Sequence, residues 1–455
     1  MTKDFNWRIP EYIDLPKLIM DSPPNFKLKP DHCYSIIDTI CERSLFLDLD
    51  ETEYVNLHSD ILQYLNHNYK KYIDYLIDNY IIESDEKYTI GKKSFGYKIN
   101  EDYISDFIEI PIKTFTLKKR IKKVIEKEAK EDEKTTAGYE YLTKWFNDKL
   151  CIDKKEAINK IKERKMANKK GGAQGLLRQD KEKISRNLLA VEKIANKEFA
   201  CMVDPNIGRF HSRLTNLKKE MRNYITYDGK PLVNLDINNS QPLLSGVLLN
   251  KAFYKEGEGF NIYYIPSVIK LFKSNKILND TLSQLYISIM SVEPAEMPVC
   301  KGFAEYLNLI QKGTFYQELS TLLFPKDPFD KEEIKKVVYT IFFSDNRGKN
   351  RNKKIFEKHF PEVYSIFKLI KRRNKRILSH LLQRIESYII IETVAKRIGI
   401  EQPQLPIFTI HDSIACPIEH MGYVETLMKE EILNITGLSA EIGKEYWTPE
   451  KSTKE

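Results

Sequence analysis

Lys230-Pro-Leu-Val-Asn-Leu-Asp236-Ile-Asn-Asn-Ser-Gln241-Pro-Leu-Leu244 is the stretch that decides how this chain is read. Leu232, Val233 and Leu235 form an apolar run entered from Asp228-Gly229, the pattern of a short buried strand leaving a turn. The strand delivers a carboxylate, Asp236, at its C-terminal end. From Ser240 onward the spacing of Leu243, Leu244, Val247 and Leu248 is helical. A strand that ends in Asp and breaks into a helix suits a hard cation, because Mg²⁺ takes one or two carboxylates and completes its shell with substrate phosphates.

A second mount of the same kind lies downstream in Leu405-Pro-Ile-Phe-Thr-Ile-His411-Asp412-Ser413-Ile-Ala-Cys416. Two apolar runs flank His411-Asp412, which reads as a hairpin with Asp412 at its turn. Taken singly, an Asp after a strand is usually a turn or cap residue. Brought together, the two carboxylates could hold two metal ions about 3.5–4 Å apart, the spacing used for in-line phosphoryl displacement.

Length and composition set the frame. At 455 residues and 42% hydrophobic content, two or three globular domains are expected. The six cysteines have no metal-binding spacing and read as reduced thiols. No apolar run approaches membrane-spanning length and the N-terminus has no signal-peptide pattern, so we expect no membrane partner and a cytoplasmic setting, in a bacterial or phage-infected cell. Net charge is +8, but residues 331–376 alone hold 15 Lys/Arg against five acids, a basic stretch suited to a polyanion.

Along the chain, residues 1–30 are rich in proline and read as an irregular arm. Residues 31–110 read as a small domain, with helical periodicity at Ser35–Cys41, Ile61–Leu65 and Tyr72–Tyr80, then two short strands around a Gly/Lys turn. That order resembles a winged helix, which implies duplex contact through Lys92 and Lys93. The acidic cluster Asp48–Glu51 reads as a helix start. Residues 111–200 are highly charged and helical, broken at Gly171-Gly172. A short strand is expected at Phe199–Val203.

Two further blocks carry chemistry. Gly208-Arg209-Phe-His-Ser212-Arg-Leu-Thr-Asn216-Leu precedes the Asp236 strand. Glycine lets backbone approach a ligand closely, Arg209 can reach groove acceptors or phosphate, and Ser212 and Asn216 offer uncharged hydrogen bonds that tolerate any base sequence. In Lys331-Glu-Glu-Ile-Lys335-Lys-Val-Val-Tyr339-Thr-Ile-Phe-Phe343, residues 331, 335, 339 and 343 recur every four positions and fall on one helix face. Two cations followed by two aromatics suit a nucleoside triphosphate.

The order of these blocks over residues 200–450 resembles the family A DNA polymerases, those related to bacterial DNA polymerase I. The resemblance implies an α+β right-hand fold over residues 201–455: a palm with an antiparallel sheet and helical fingers at roughly 250–375. It implies a thumb-like 111–200, and the winged-helix-like part would precede it at 1–110. It implies Asp236, Asp412 and the carbonyl of Ile237 as ligands of two Mg²⁺ ions, with Mn²⁺ as a substitute. Lys335 would be catalytic; Lys331, Tyr339, Phe343 and Gln241 would bind the nucleotide; Arg209, Ser212, Asn216, Gln383 and His411 would hold a DNA primer-template. The expected product is a small exonuclease-less DNA polymerase acting as a monomer.

Departures bear on the substrate. Lys331 stands where the family has Arg, Phe343 where it has Tyr, and Gln241 where a Glu blocks the ribose 2′ position. His-Asp-Ser at 411–413 is instead typical of the phage-type single-subunit RNA polymerases. A DNA-directed RNA polymerase or primase is therefore the alternative. A non-catalytic DNA-binding initiation protein is the alternative of another class.

Overall fold

The computed structural model describes residues 6–45, 54–89, 93–170, 178–250, 253, 261, 301–326, 328–347, 350–372 and 374–449. The acidic cluster at 48–51, Lys92, the glycines at 171–175 and most of the segment before residue 301 lie outside the described residues. The architecture mixes helices with antiparallel sheet, as the α+β reading expects at that level.

Among the described residues there are thirteen strands, named in chain order. β1 (Asn6–Pro10) pairs with β5 (Phe107–Pro111). β2 (Val55–Asn56), β3 (Ile82–Ser84) and β4 (Gly96–Ile99) form a small sheet ordered β2-β4-β3. β6 (Leu150–Ile152), β9 (Ile225–Tyr227), β10 (Lys230–Ile237), β11 (Phe408–Ile410) and β12 (Ser413–Pro417) run in the order β11-β12-β10-β9-β6, and β13 (Ile442–Trp447) also pairs with β10. β7 (Met202–Val203) and β8 (Phe210–His211) make a separate two-stranded ladder.

β10 is the organising strand. Leu232, Val233, Leu235 and Ile237 are all buried, so both of its faces are covered. A strand covered on both sides reads as a continuous apolar run rather than an alternation. The helix Met421–Thr436 packs on β10 and β12. The β9–β10 turn is Asp228-Gly229, with φ of +51° and +75°. Positive φ at both central residues is the type I′ hairpin, whose twist matches that of the strands.

Four sequence expectations change. Residues 6–21 are not an irregular arm but a strand and a helix (Leu15–Asp21). Their prolines misled because each sits where a missing N–H costs nothing: Pro10 ends β1 and Pro16 opens the helix. Trp7 and Ile9 are buried, and the Trp7 indole donates to Asp31 at 3.0 Å. Region 111–200 is not wholly helical, since Leu150–Ile152 joins the large sheet through β9. That strand is only three residues long, too short for its period to show. The strand expected at 199–203 is confined to Met202–Val203. The small N-terminal sheet has a third strand, β2, too short to leave a pattern. The three expected helices are present as Pro30–Ser44, Ser59–Leu65 and Tyr69–Asp78.

The described cysteines are free thiols, and among the described residues no helix is long and apolar enough to cross a membrane.

Gly229→Ala is expected to lower stability by about 1–2 kcal/mol, because the site has open space for a methyl but demands left-handed backbone. Urea unfolding of the two proteins checks this. An unchanged midpoint would mean the turn does not hold the strand.

Candidate active site

The antiparallel register sets the two carboxylates side by side. Asp236 is paired with Ser413 on one flank of β10 and with Gly443 on the other. Ser413 directly follows Asp412, and the Ile237 N–H donates to the Asp412 carbonyl at 3.4 Å. Burial pushes the Asp412 carboxyl up to about 6, and the charge of Asp236 adds to the push. Like charges sharing a site disfavour joint ionisation. A cation between them would relieve that cost.

Small residues make room for this pair. A methyl at Gly443 would lie 2.6 Å from Asp236 Oδ1 and 3.0 Å from Asn238 Oδ1. Gly443 was not singled out from the sequence, because its role lies across the ladder. The hairpin is tied by Ser413, whose buried hydroxyl donates to the Ile410 carbonyl at 2.8 Å. That bond accounts for Ser413 as a turn-closing residue. His411 takes φ +55° at the turn. It keeps an exposed edge, yet the packed protein around its ring, then the nearby Arg209, His211 and Arg222, push its pKa down to about 4. It is therefore neutral at pH 7.

A third carboxylate completes the floor. Glu386, on the helix Arg376–Ser387, is only 1% exposed. Its Oε1 accepts from Arg209 Nε at 2.9 Å and Nη2 at 2.6 Å. Its Oε2 accepts from Gln241 Nε2 at 2.8 Å. Burial drives its carboxyl up to about 7, opposed by Arg209 and reinforced by the charge of Asp412. Sequence reasoning chose Gln383 on this helix, but the carboxylate that joins Arg209 and Gln241 is one turn further on. Gln383 is half-buried, and its backbone carbonyl accepts from the Ser387 hydroxyl.

The helix Lys331–Phe343 presents the expected stripe. Ile334, Val338, Ile341 and Phe342 are buried, while Lys331 and Tyr339 are exposed and Lys335 and Phe343 are half-buried. Tyr339 is 49% exposed, so it is not a core aromatic. It packs beside Phe343 with ring centroids 5.9 Å apart. Burial of its hydroxyl end, followed by Asp412 and Glu386, raises its pKa, which places this face toward the acidic floor. Lys335 lies 3.3 Å from Glu332 on the same helix. The buried Lys371 amine donates to the Ile341 carbonyl at 3.0 Å and so caps the helix C-terminus. Tyr316, on Phe315–Leu323, is a buried neighbour that the sequence did not flag; after burial itself, Tyr339 and Asp412 raise its pKa.

Other candidates fall elsewhere. Ser212 is 4% exposed, and its backbone is tied to Thr215, so it does not face solvent. Its hydroxyl has no partner among the described residues. Asn216 is exposed beside it. Gly208, at φ +69°, lies under Arg384, where a methyl would meet Nη1 at 1.5 Å. Lys93 is partly exposed and ion-paired with Asp85. Lys92 lies outside the described residues. Among the described residues no cluster of three or more His, Cys, Asp or Glu is arranged for a metal ion.

No protein-family model matches the sequence, and no curated protein matches it. Among solved structures, the chain is similar to the POL domain of Pol1 from M. smegmatis, solved in complex with DNA primer-template and dNTP. The identity is 12% and the TM-score 0.39, over 64% of this chain. The match spans 56% of that chain.

Because the Glu386 pKa is raised above that of an unfolded Glu, the folded state holds the extra proton. Its contribution is therefore present at low pH and lost as pH rises from about 4 toward 7. Glu386→Gln is expected to remove that part of the pH dependence. Thermal melts at pH 5 and pH 8 measure it; an identical pH slope in both proteins would contradict the burial of this carboxyl.

Proposed function

We propose that the chain is a template-directed nucleotidyltransferase, most consistent with a small DNA-directed DNA polymerase. The observation that carries this reading is Asp412, in the turn just before β12, set beside Asp236 on β10, with Tyr339 of the helix that bears Lys331 and Lys335 close enough to feel the Asp412 charge. Two carboxylates, with the carbonyl of Ile237 beside them, fit magnesium ions that draw their remaining ligands from substrate phosphates and water. When bound, such ions would activate an attacking hydroxyl and neutralise the phosphates.

The chain's own residues supply the rest. Lys331 and Lys335 face the triphosphate, and Lys335 neutralises charge developing toward the leaving pyrophosphate and donates a proton to it. An incoming phosphate must first displace Glu332 from Lys335. Tyr339 offers an exposed ring to the incoming base, with Phe343 behind it. Arg209 and His411 hold the primer end. Two bonds of the Arg209 guanidinium go to Glu386, while Nη1 has no hydrogen bond among the described residues and is left for a base or phosphate acceptor. Base choice rests on pairing geometry. The N-terminal helices with the β3–β4 hairpin form a winged-helix-like module over residues 31–110 that serves as a further duplex contact.

Deoxynucleotides are the favoured substrate. Gln241 fills the position beside the sugar, and Ser413, the residue that pointed toward RNA synthesis, is occupied in closing its own hairpin.

Asp236→Asn is expected to abolish primer extension in Mg²⁺ while leaving DNA binding within about twofold, since it removes a charge needed only for the reaction. Retained extension sinks the assignment. Gly443→Ala is expected to keep the fold but cut extension by about a hundredfold, because its methyl displaces the Asp236 carboxylate. Circular dichroism and extension rates, read together, separate those two effects.

A further inference from the structure

We infer that Glu386 is a positioning residue that sets sugar selection, by pinning Gln241 beside the incoming nucleotide and Arg209 beside the primer end. This rests on the polymerase reading above and adds a residue to it.

The argument starts from satisfaction of a buried charge. A carboxylate that is 1% exposed must have donors, and Glu386 has three hydrogen bonds. They come from two distant parts of the chain: Arg209 in the loop between β7 and β8, and Gln241 at the start of the helix Ser240–Ser245. Each donor is thereby fixed in place. The Arg209 contact is charge-assisted and made through two nitrogens to one oxygen, which restricts the guanidinium in rotation as well as in distance.

The consequence for Gln241 is chemical. An amide has one donating and one accepting end. With Nε2 committed to Glu386, the side chain cannot swing aside without leaving a buried carboxylate short of a donor. Gln241 follows Asp236 by five positions, in the first turn of the helix that the chain enters through Asn238-Asn239 directly after β10. A pinned amide there presents a fixed wall to the sugar. Admitting a ribose 2′-hydroxyl would require breaking the bond to Glu386. A neutral Gln thus acts as a rigid gate because a carboxylate on another helix holds it. One carboxylate also links that gate to Arg209, so the two ends of the reacting pair share an anchor.

The test is primer extension by the full-length chain with dNTP and NTP pools measured separately, for wild type, Glu386→Gln and Gln241→Leu. Both variants are expected to raise the ratio of kcat/KM for NTP over dNTP by about tenfold, the scale of one hydrogen bond to a charged group. A purely structural role for Glu386 would lower both pools by the same factor, and an unchanged ratio in both variants overturns the inference. Gln241→Leu keeps the side-chain size and leaves Arg209 paired, so it carries the test alone if Glu386→Gln melts early. Wild type that extends with neither pool would defeat the polymerase reading and this inference together. Wild type that extends while both ratios stay put defeats only the role of Glu386.

Discussion

Two acidic side chains, Asp236 and Asp412, are held next to each other at a half-buried site. That is an unfavourable arrangement, and the rest of the architecture exists to enforce it. The Asp236–Ser413 and Asp236–Gly443 pairings fix the strand register on both flanks of β10. A slip by one residue would turn Asp236 to the opposite face. The apolar residues of β10 prevent that slip, since they are buried on both sides. Stability is thus drawn from the strand's hydrophobic residues to maintain a strained electrostatic pair, a balance common at functional sites.

Around the pair, positive and negative groups alternate. Arg209 bonds Glu386 and also acts on His411, as does the half-buried Arg222, whose Nε donates to the Leu217 carbonyl at 3.1 Å. This layout keeps His411 neutral, while burial leaves the Asp412 and Glu386 carboxyls hard to ionise. Lys371 and Lys353 both reach backbone carbonyls at the end of the Lys331–Phe343 helix. The stripe of Lys331, Lys335 and Tyr339 is therefore anchored at the end away from its charged N-terminus.

Much of this is legible in the amino-acid sequence itself, and the limits are physical. Asp236 and Asp412 stand out because each terminates an apolar run, a one-dimensional signature of a buried strand end. The helix at Lys331–Phe343 shows its faces through a four-residue period. Glu386 leaves no such trace. A Glu in an amphipathic helix looks alike whether it meets water or a guanidinium, and its partners lie 177 and 145 residues away in sequence. Gly443 is hidden for the same reason: its smallness matters only to a side chain on the neighbouring strand. Short strands such as β2 and β6 carry too few residues to establish a period. The N-terminal prolines suggest irregular chain when composition is weighed without position.

The large sheet gathers strands from residues 150, 225, 230, 408, 413 and 442 around one central member. Such wide separation has a consequence for biogenesis. β10 leaves the ribosome with only β9 at hand, pairing its first two residues, and some 170 to 200 further residues must follow before β12 and β13 can cover the rest. During that interval a strongly apolar segment is unpaired and open to off-pathway association, the hazard of topologies dominated by non-local contacts. The small N-terminal module, by contrast, completes its sheet by residue 99 and can consolidate while the remainder is still being translated.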